Sequence, residues 1–232
     1  MVEIKGLEKF GPKDFPGHIS STVFLGGCNF RCPFCHNPEL VLEPEKLPSF
    51  PPDYFSTFLD SRKGWQEAVC FTGGEPLLNE DLDVLLHLVK ERGLLVKLDT
   101  NGSFPKRLKR LIQEKLVDYV AMDVKAPLQR YREVTGVKVD TGKLAESIDI
   151  IRDSAPDYVF RTTVVPDLLT KKDILKVAEL LKGASRYQLQ QFLPGKTIDS
   201  RYDSMDPYNR EELENILEAV RPFFSQVVLE GV

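Results

Sequence analysis

The sequence predicts an α/β fold with a largely parallel sheet. Three observations predict it: short β-rich runs recur along the chain, helical periodicity lies between most of them, and unusual polar residues gather where the runs end. The runs are 21–26 (STVFLG), 68–72 (AVCFT), 94–99 (LLVKLD), 118–124 (DYVAMDV), 158–165 (YVFRTTVV), 187–193 (YQLQQFL) and 226–230 (QVVLE). Between them, Leu82, Leu85, Leu86 and Val89 follow the i, i+3, i+4, i+7 spacing of a helix with one apolar stripe. Ile174, Val177, Ala178 and Leu181 do the same, as do Leu213, Ile216, Leu217 and Val220. Gly93 and Gly183 stand where helix C-terminal caps are expected. About six βα units fall short of an eight-unit barrel, which leaves an open doubly wound sheet or a partial barrel.

Composition narrows the class. With 232 residues the chain suits one large domain, and 42% hydrophobic with 28% charged residues is the balance of a folded soluble protein. No apolar stretch approaches the ~20 residues of a membrane-spanning helix. A net charge of -4 disfavours nucleic-acid binding as the main task. The opening, MVEIKGLEKFGPKDFPG, has no apolar core and no small-residue cleavage site, so a cytoplasmic location with reduced thiols is expected. The proline-rich stretch 44–52 reads as a loop.

In parallel α/β folds the carboxyl ends of the strands open onto one face, where sites are built. Here they carry, in order, Cys28–Cys35, Thr72-Gly73-Gly74-Glu75-Pro76, Asp99-Thr100-Asn101-Gly102, Asp123-Val124-Lys125, Arg161 and Gln188/Gln190/Gln191. Three of the four cysteines form Cys28-x3-Cys32-x2-Cys35. A disulfide would leave the third thiol over, and a structural zinc ion needs a fourth ligand that neither His36 nor Cys70 readily supplies. Thiolates are the natural ligands of an iron–sulfur cluster, and three of them leave one iron of a four-iron cluster open to substrate or cofactor.

Cys28-Asn29-Phe30-Arg31-Cys32-Pro33-Phe34-Cys35 resembles the cluster motif of the radical S-adenosylmethionine (SAM) enzymes. The following His36-Asn37 is similar to the glycyl-radical-enzyme activases, and Thr72–Pro76, Asp99–Gly102 and Asp123–Lys125 resemble their later motifs. Asp14-Phe15-Pro16-Gly17 and Cys35-His36-Asn37-Pro38-Glu39-Leu40 look most like the branch that activates anaerobic ribonucleoside-triphosphate reductase. The resemblance covers about residues 1–195, with 196–232 expected as a C-terminal helix and strand of one radical SAM domain, 1–232. It implies a partial (β/α)6 TIM-type barrel. It also implies a [4Fe-4S] cluster on Cys28, Cys32 and Cys35, whose fourth iron binds SAM. Reductive cleavage of SAM then yields methionine and a 5′-deoxyadenosyl radical that abstracts hydrogen.

The remaining assignments follow from that resemblance, each beside a plainer reading. Phe34 borders the adenine or simply covers the cluster. His36 bonds near the adenine or is a loop residue. Gly73 and Gly74 bring backbone to the SAM amino group, since neither has a Cβ, or form an ordinary strand-to-helix turn. Glu75 is a ligand for that ammonium or a carboxylate at a helix N-terminus. Asp99, Thr100 and Asp123 hold a monovalent cation, or Asp99 caps a turn. Lys125 and Arg161, charged residues within apolar strands, contact SAM, since unpaired they would be costly there. Gln190-Gln191-Phe192 departs from the formate-lyase-activating branch, which has a histidine near this point. Cys70 reads as a small buried hydrophobe and His87 as structural. The implied partners are a glycyl-radical enzyme, anaerobic ribonucleotide reductase first, and reduced flavodoxin or ferredoxin as electron donor. The alternatives are activation of pyruvate formate-lyase or a related enzyme, a small-molecule radical SAM reaction, and a zinc-binding module.

Overall fold

The computed structural model describes residues 2–231. Its centre is one eight-stranded sheet in the order of the sequence: β1 (Ile4–Gly11), β2 (Ser20–Leu25), β3 (Ala68–Gly73), β4 (Leu95–Thr100), β5 (Tyr119–Asp123), β6 (Tyr158–Val164), β7 (Arg186–Gln191) and β8 (Gln226–Glu230). β1 runs antiparallel to β2, and every pair from β2 to β8 is parallel. The helices are α1 (Pro38–Leu42), α2 (Pro52–Ser61), α3 (Leu82–Lys90), α4 (Pro105–Gln113), α5 (Tyr131–Thr135), α6 (Thr141–Ser154), α7 (Lys171–Leu180) and α8 (Arg210–Val220).

The period-2 alternation of the strands explains the two faces. Val69, Phe71, Val96, Leu98, Val120 and Met122 are fully buried in the main core with Leu82, Leu85, Leu86 and Val89 of α3. The opposite face alternates with them. Its floor is a small apolar cluster of Ala68, Tyr119, Ala121 and Val159, closed by Phe15 from the β1–β2 connection. Above that floor the same face turns polar: Cys70 and Lys97 are register partners on β3 and β4, and Asp123 and Arg161 on β5 and β6.

All seven runs anticipated as strands are strands, and the three apolar stripes are α3, α7 and α8. α7 and α8 each open with a reciprocal capping box, Thr170 with Asp173 and Asn209 with Glu212. Gly93 and Gly183 lie just past α3 and α7 at φ +71° and +94°. The sequence reading missed β1, whose Glu8, Lys9 and Phe10 are exposed on the sheet edge. β5 ends at Asp123, so Lys125 stands beyond the strand rather than within it. β8 extends the sheet beside β7, and α8 packs against α7 and β8. No helix among the described residues is long and apolar enough to cross a membrane.

Candidate active site

The carboxyl ends of β2 to β7 enclose a cavity of about 290 Å³. Cys28, Cys32 and Cys35 line it from one side, together with Phe34 and His36. Gly73, Gly74, Asp99, Thr100, Asp123 and Lys125 line it from the strand ends. The sequence-predicted residues that do not border it are Glu75 and Arg161.

The cysteine loop follows β2 and is held by backbone bonds. Gly27 N–H donates to Leu40 O at 2.8 Å, Cys35 N–H to Cys32 O at 3.1 Å, and Arg31 N–H to Thr135 O at 2.8 Å. The glycine turn after β3 braces it from behind: Gly74 N–H donates to Leu25 O and Glu75 N–H to Gly27 O. A Cβ on Gly73, at φ +112°, would meet Leu25 O at 2.5 Å, and one on Gly74 would meet Gly27 O at 1.9 Å. Both glycines are therefore demanded by the approach of two protein backbones, besides facing the cavity.

Glu75 is fully buried and caps the turn Pro76–Leu78. Its oxygens accept from Leu77 N–H at 3.1 Å, Thr100 Oγ1 at 2.8 Å and Asn101 N–H at 2.7 Å. Burial pushes its carboxyl up to about 7 against those three bonds. Of its two readings, the geometry is that of a carboxylate at a turn N-terminus, which also ties the end of β4 to the glycine turn. From there Asn101 Nδ2 donates to Asn29 Oδ1 at 2.9 Å and reaches Cys28 Sγ at 3.9 Å, and Asn29 Nδ2 donates to Ser103 Oγ at 2.8 Å. Phe30 N–H also points at Cys28 Sγ, at 3.4 Å.

Below the thiols runs an alternating row of charge. Lys97 pairs with Asp99, Asp99 with Arg161 at 3.1 Å, Arg161 with Asp123 at 2.8 Å, and Asp123 with Lys125 at 2.9 Å. Burial alone would raise the Asp123 carboxyl, but the Arg161 and Lys125 charges overcome it and hold it well below the usual range. Asp99 is lowered in the same way by Arg161 and Lys97. Cys70 joins this row: Lys97 Nζ lies 3.5 Å from its sulfur, so it is not the purely apolar filler expected.

This row bears on the anticipated cation. Every oxygen it would use is already engaged: Asp99 accepts from Lys97, Thr72 and Arg161, Asp123 from Arg161 and Lys125, and the Thr100 hydroxyl serves Glu75 and Gly102 N–H. Asp99 and Asp123 are already served by Lys97, Arg161 and Lys125, and the Thr100 hydroxyl is held by Glu75, so an added cation must displace one of these. The donor set of this structure does not fit a monovalent cation; Arg161 occupies the position between the two carboxylates.

The thiols do fit an iron–sulfur cluster. They come from one loop, line one cavity, and among the described residues no group of three or more His, Cys, Asp or Glu is gathered tightly enough for a single metal ion. Burial pushes the Cys28 thiol up to about 11 and Cys32 to about 12, with Lys125 opposing the rise at both. Such thiols are neutral when free and become thiolates on binding a cationic centre.

Residues 192–202 cover the loop, a contact no sequence signal announced. His36 stacks on Phe192 at 5.6 Å and hydrogen-bonds Leu193 O at 2.7 Å. Tyr202 packs its ring 6.5 Å from Phe34 and 6.3 Å from Phe192, and Asp199 N–H donates to Pro33 O. Gln191 does not line the cavity and donates to Tyr208 O at 2.6 Å. His87 is exposed on α3.

Comparison with known proteins agrees with this geometry. The model of the radical SAM superfamily matches residues 22–181. A Methanocaldococcus jannaschii protein, provisionally named a glycyl-radical enzyme activating enzyme, is 30% identical over 99% of this chain and 96% of its own length. A pyruvate formate-lyase-activating enzyme of Clostridium pasteurianum is 30% identical over 94% of this chain and 98% of its own. The structure of TYW1 with a lysine-pyruvate adduct bound shares the fold, with a TM-score of 0.65 at 18% identity over 89% of this chain and 74% of that one. The chain belongs to the radical SAM superfamily, in its glycyl-radical enzyme activating family. Membership implies a [4Fe-4S] cluster and SAM as cofactors. The first expectation, the ribonucleotide-reductase branch, is not the one these names favour: several relatives are pyruvate formate-lyase-activating enzymes.

Proposed function

We propose that this protein generates a glycyl radical on a large partner enzyme of the pyruvate formate-lyase kind, under anaerobic conditions in the cytoplasm. The observation that carries the reading is the convergence of three loop thiols, a Gly-Gly strand end and a charge-paired row on one cavity. The near full-length similarity to proteins of that name supports it. Cys28, Cys32 and Cys35 hold the cluster. The chemistry a reduced [4Fe-4S] cluster supplies with SAM is one-electron cleavage of the sulfonium bond, giving methionine and a 5′-deoxyadenosyl radical.

The chain's own residues bind, orient and exclude water. The backbone at Gly73–Gly74 receives the SAM amino group, and Lys125, held by Asp123, receives its carboxylate. Phe34 and His36 flank the adenine, fixed by the cover formed by Phe192 and Tyr202. Arg161 holds Asp123 and Asp99 and so fixes where Lys125 stands. A dry, rigid wall matters because a primary carbon radical attacks the nearest hydrogen. Residues 2–231 form one catalytic unit in this reading.

A second reading has anaerobic ribonucleotide reductase as the partner. It is favoured by the Asp14–Gly17 and Cys35–Leu40 segments and by buried Phe192 where the formate-lyase branch has a histidine. Electron paramagnetic resonance on the reconstituted protein with SAM, reductant and each purified partner separates them. A glycyl doublet on the formate-lyase alone supports the first reading, and one on the reductase alone supports the second. No protein radical, with SAM cleaved, sinks both and points to a small-molecule substrate.

A further inference from the structure

Outside the cavity, several cations near the cysteine loop have no carboxylate partner. The Arg31 guanidinium donates to Cys28 O at 2.5 Å and Phe30 O at 2.8 Å, neither of which neutralises it. Arg107 likewise donates only to the carbonyls of Leu77, Asn79 and Glu80. Lys106 and Lys143 are exposed, and their ammonium groups make no hydrogen bond or ion pair with the described residues. Lys106, Arg107 and Lys143 border one surface hollow of about 210 Å³ with Ser103, Phe104 and a single carboxylate, Glu146. The hollow abuts the loop, because Ser103 accepts from Asn29, the neighbour of Cys28. In a chain of net charge -4, the lining of this hollow carries three cations to one carboxylate.

We propose that this hollow is the docking surface for an acidic one-electron donor protein. The proposal rests on the activase reading, whose chemistry consumes an electron. One electron leaves the donor, which is oxidised by one equivalent, and enters the site, which is reduced by one; no group moves with it. Three features single out this surface. Electron transfer weakens steeply with distance, and one hydrogen bond, Asn29 to Ser103, separates the hollow from the residue beside Cys28. The hollow shares no lining residue with the cavity, so a docked donor leaves SAM and the partner glycine their places. Unneutralised lysines facing an acidic partner accelerate encounter and orient it, while contributing little to the fold.

The test uses K106E/K143E in the full chain, since both side chains are exposed and neither lines the cavity. The probe is purified flavodoxin, its affinity measured at about 50 and about 300 mM salt, where screening differs. In parallel, 5′-deoxyadenosine formation is driven by reduced flavodoxin and by dithionite. Affinity for flavodoxin is expected to fall about tenfold at the lower salt and by much less at the higher. The flavodoxin-driven rate should fall with it, while the dithionite-driven rate stays unchanged. Unchanged flavodoxin affinity in the double variant overturns the proposal, whatever dithionite does. Loss of affinity for a short single-stranded RNA with flavodoxin binding intact also overturns it, and assigns the patch to nucleic acid. Failure of dithionite to drive cleavage in the unaltered protein counts against the activase reading instead, and leaves the binding comparison to decide the surface.

Discussion

Gly74→Ala isolates what the glycine turn does. The added methyl carbon would stand 1.9 Å from Gly27 O, 2.6 Å from Gly27 C and 3.3 Å from Cys28 N. All three are backbone atoms, so no side chain can swing away. The two chain segments must separate by about 1 Å, and the segment that gives leads directly into Cys28. Overpacking of this kind costs about 1–3 kcal/mol. The larger consequence is positional, because a displacement of about 1 Å at a reacting centre lowers rate by about 100-fold. Gly64→Ala is the control: it sits at φ +84° with nothing within 4 Å, so it pays only left-handed strain of about 1–2 kcal/mol, far from the loop. Iron and sulfide content after anaerobic reconstitution, SAM cleavage rate and urea unfolding are measured on both. Gly74→Ala should lose iron or SAM cleavage out of proportion to its stability, and Gly64→Ala should lose neither. Full iron with an unchanged rate in Gly74→Ala would refute the claim that the glycine turn positions the cysteines.

Other perturbations test the charge row and Glu75. Arg161→Gln leaves two half-buried carboxylates each with one remaining cation, and should cost about 3 kcal/mol, a melting shift of roughly 6–12 °C by calorimetry. Replacing sodium and potassium by tetramethylammonium should leave SAM affinity unchanged in the unaltered protein; a loss of tenfold or more would show that a cation is needed after all. Glu75 has a folded value of about 7 against 4.5 for an ordinary glutamate, so the folded state takes up its proton first. Its contribution to stability is full below about pH 4.5 and is lost as pH rises through 7. Glu75→Gln should remove that slope, while turning an amide donor toward the Asn101, Leu77 or Thr100 donors at a cost of about 1–3 kcal/mol. Chemical denaturation from pH 4.5 to 8 reads both effects.

The sequence made the strands and the thiols legible for definite reasons. Buried parallel strands show as apolar runs, and three cysteines in eight residues cannot hide in a polar loop. Edge strand β1 was illegible because its exposed Glu8 and Lys9 break any apolar pattern. Lys97, like Arg161, is a charge inside an apolar strand and carries the same signal in the sequence. Partner choice within the charge row could not be read from single residues. Asp99 and Asp123 looked like ligands for an ion until the register put Arg161 beside Asp123 and within reach of Asp99. The cover by His36, Phe192 and Tyr202 joins segments more than 150 residues apart, which periodicity cannot report.

The central claim is that this protein's radical takes hydrogen from a glycine of a partner protein. The direct measurement is isotope transfer: a glycyl-radical partner labelled with α,α-dideuteroglycine is mixed anaerobically with the reconstituted protein, SAM and reductant, and 5′-deoxyadenosine is analysed by mass spectrometry. Deuterium in the 5′-deoxyadenosine, absent when the partner's radical glycine is replaced by alanine, is the predicted result. Unlabelled 5′-deoxyadenosine formed equally with both partners would contradict the account.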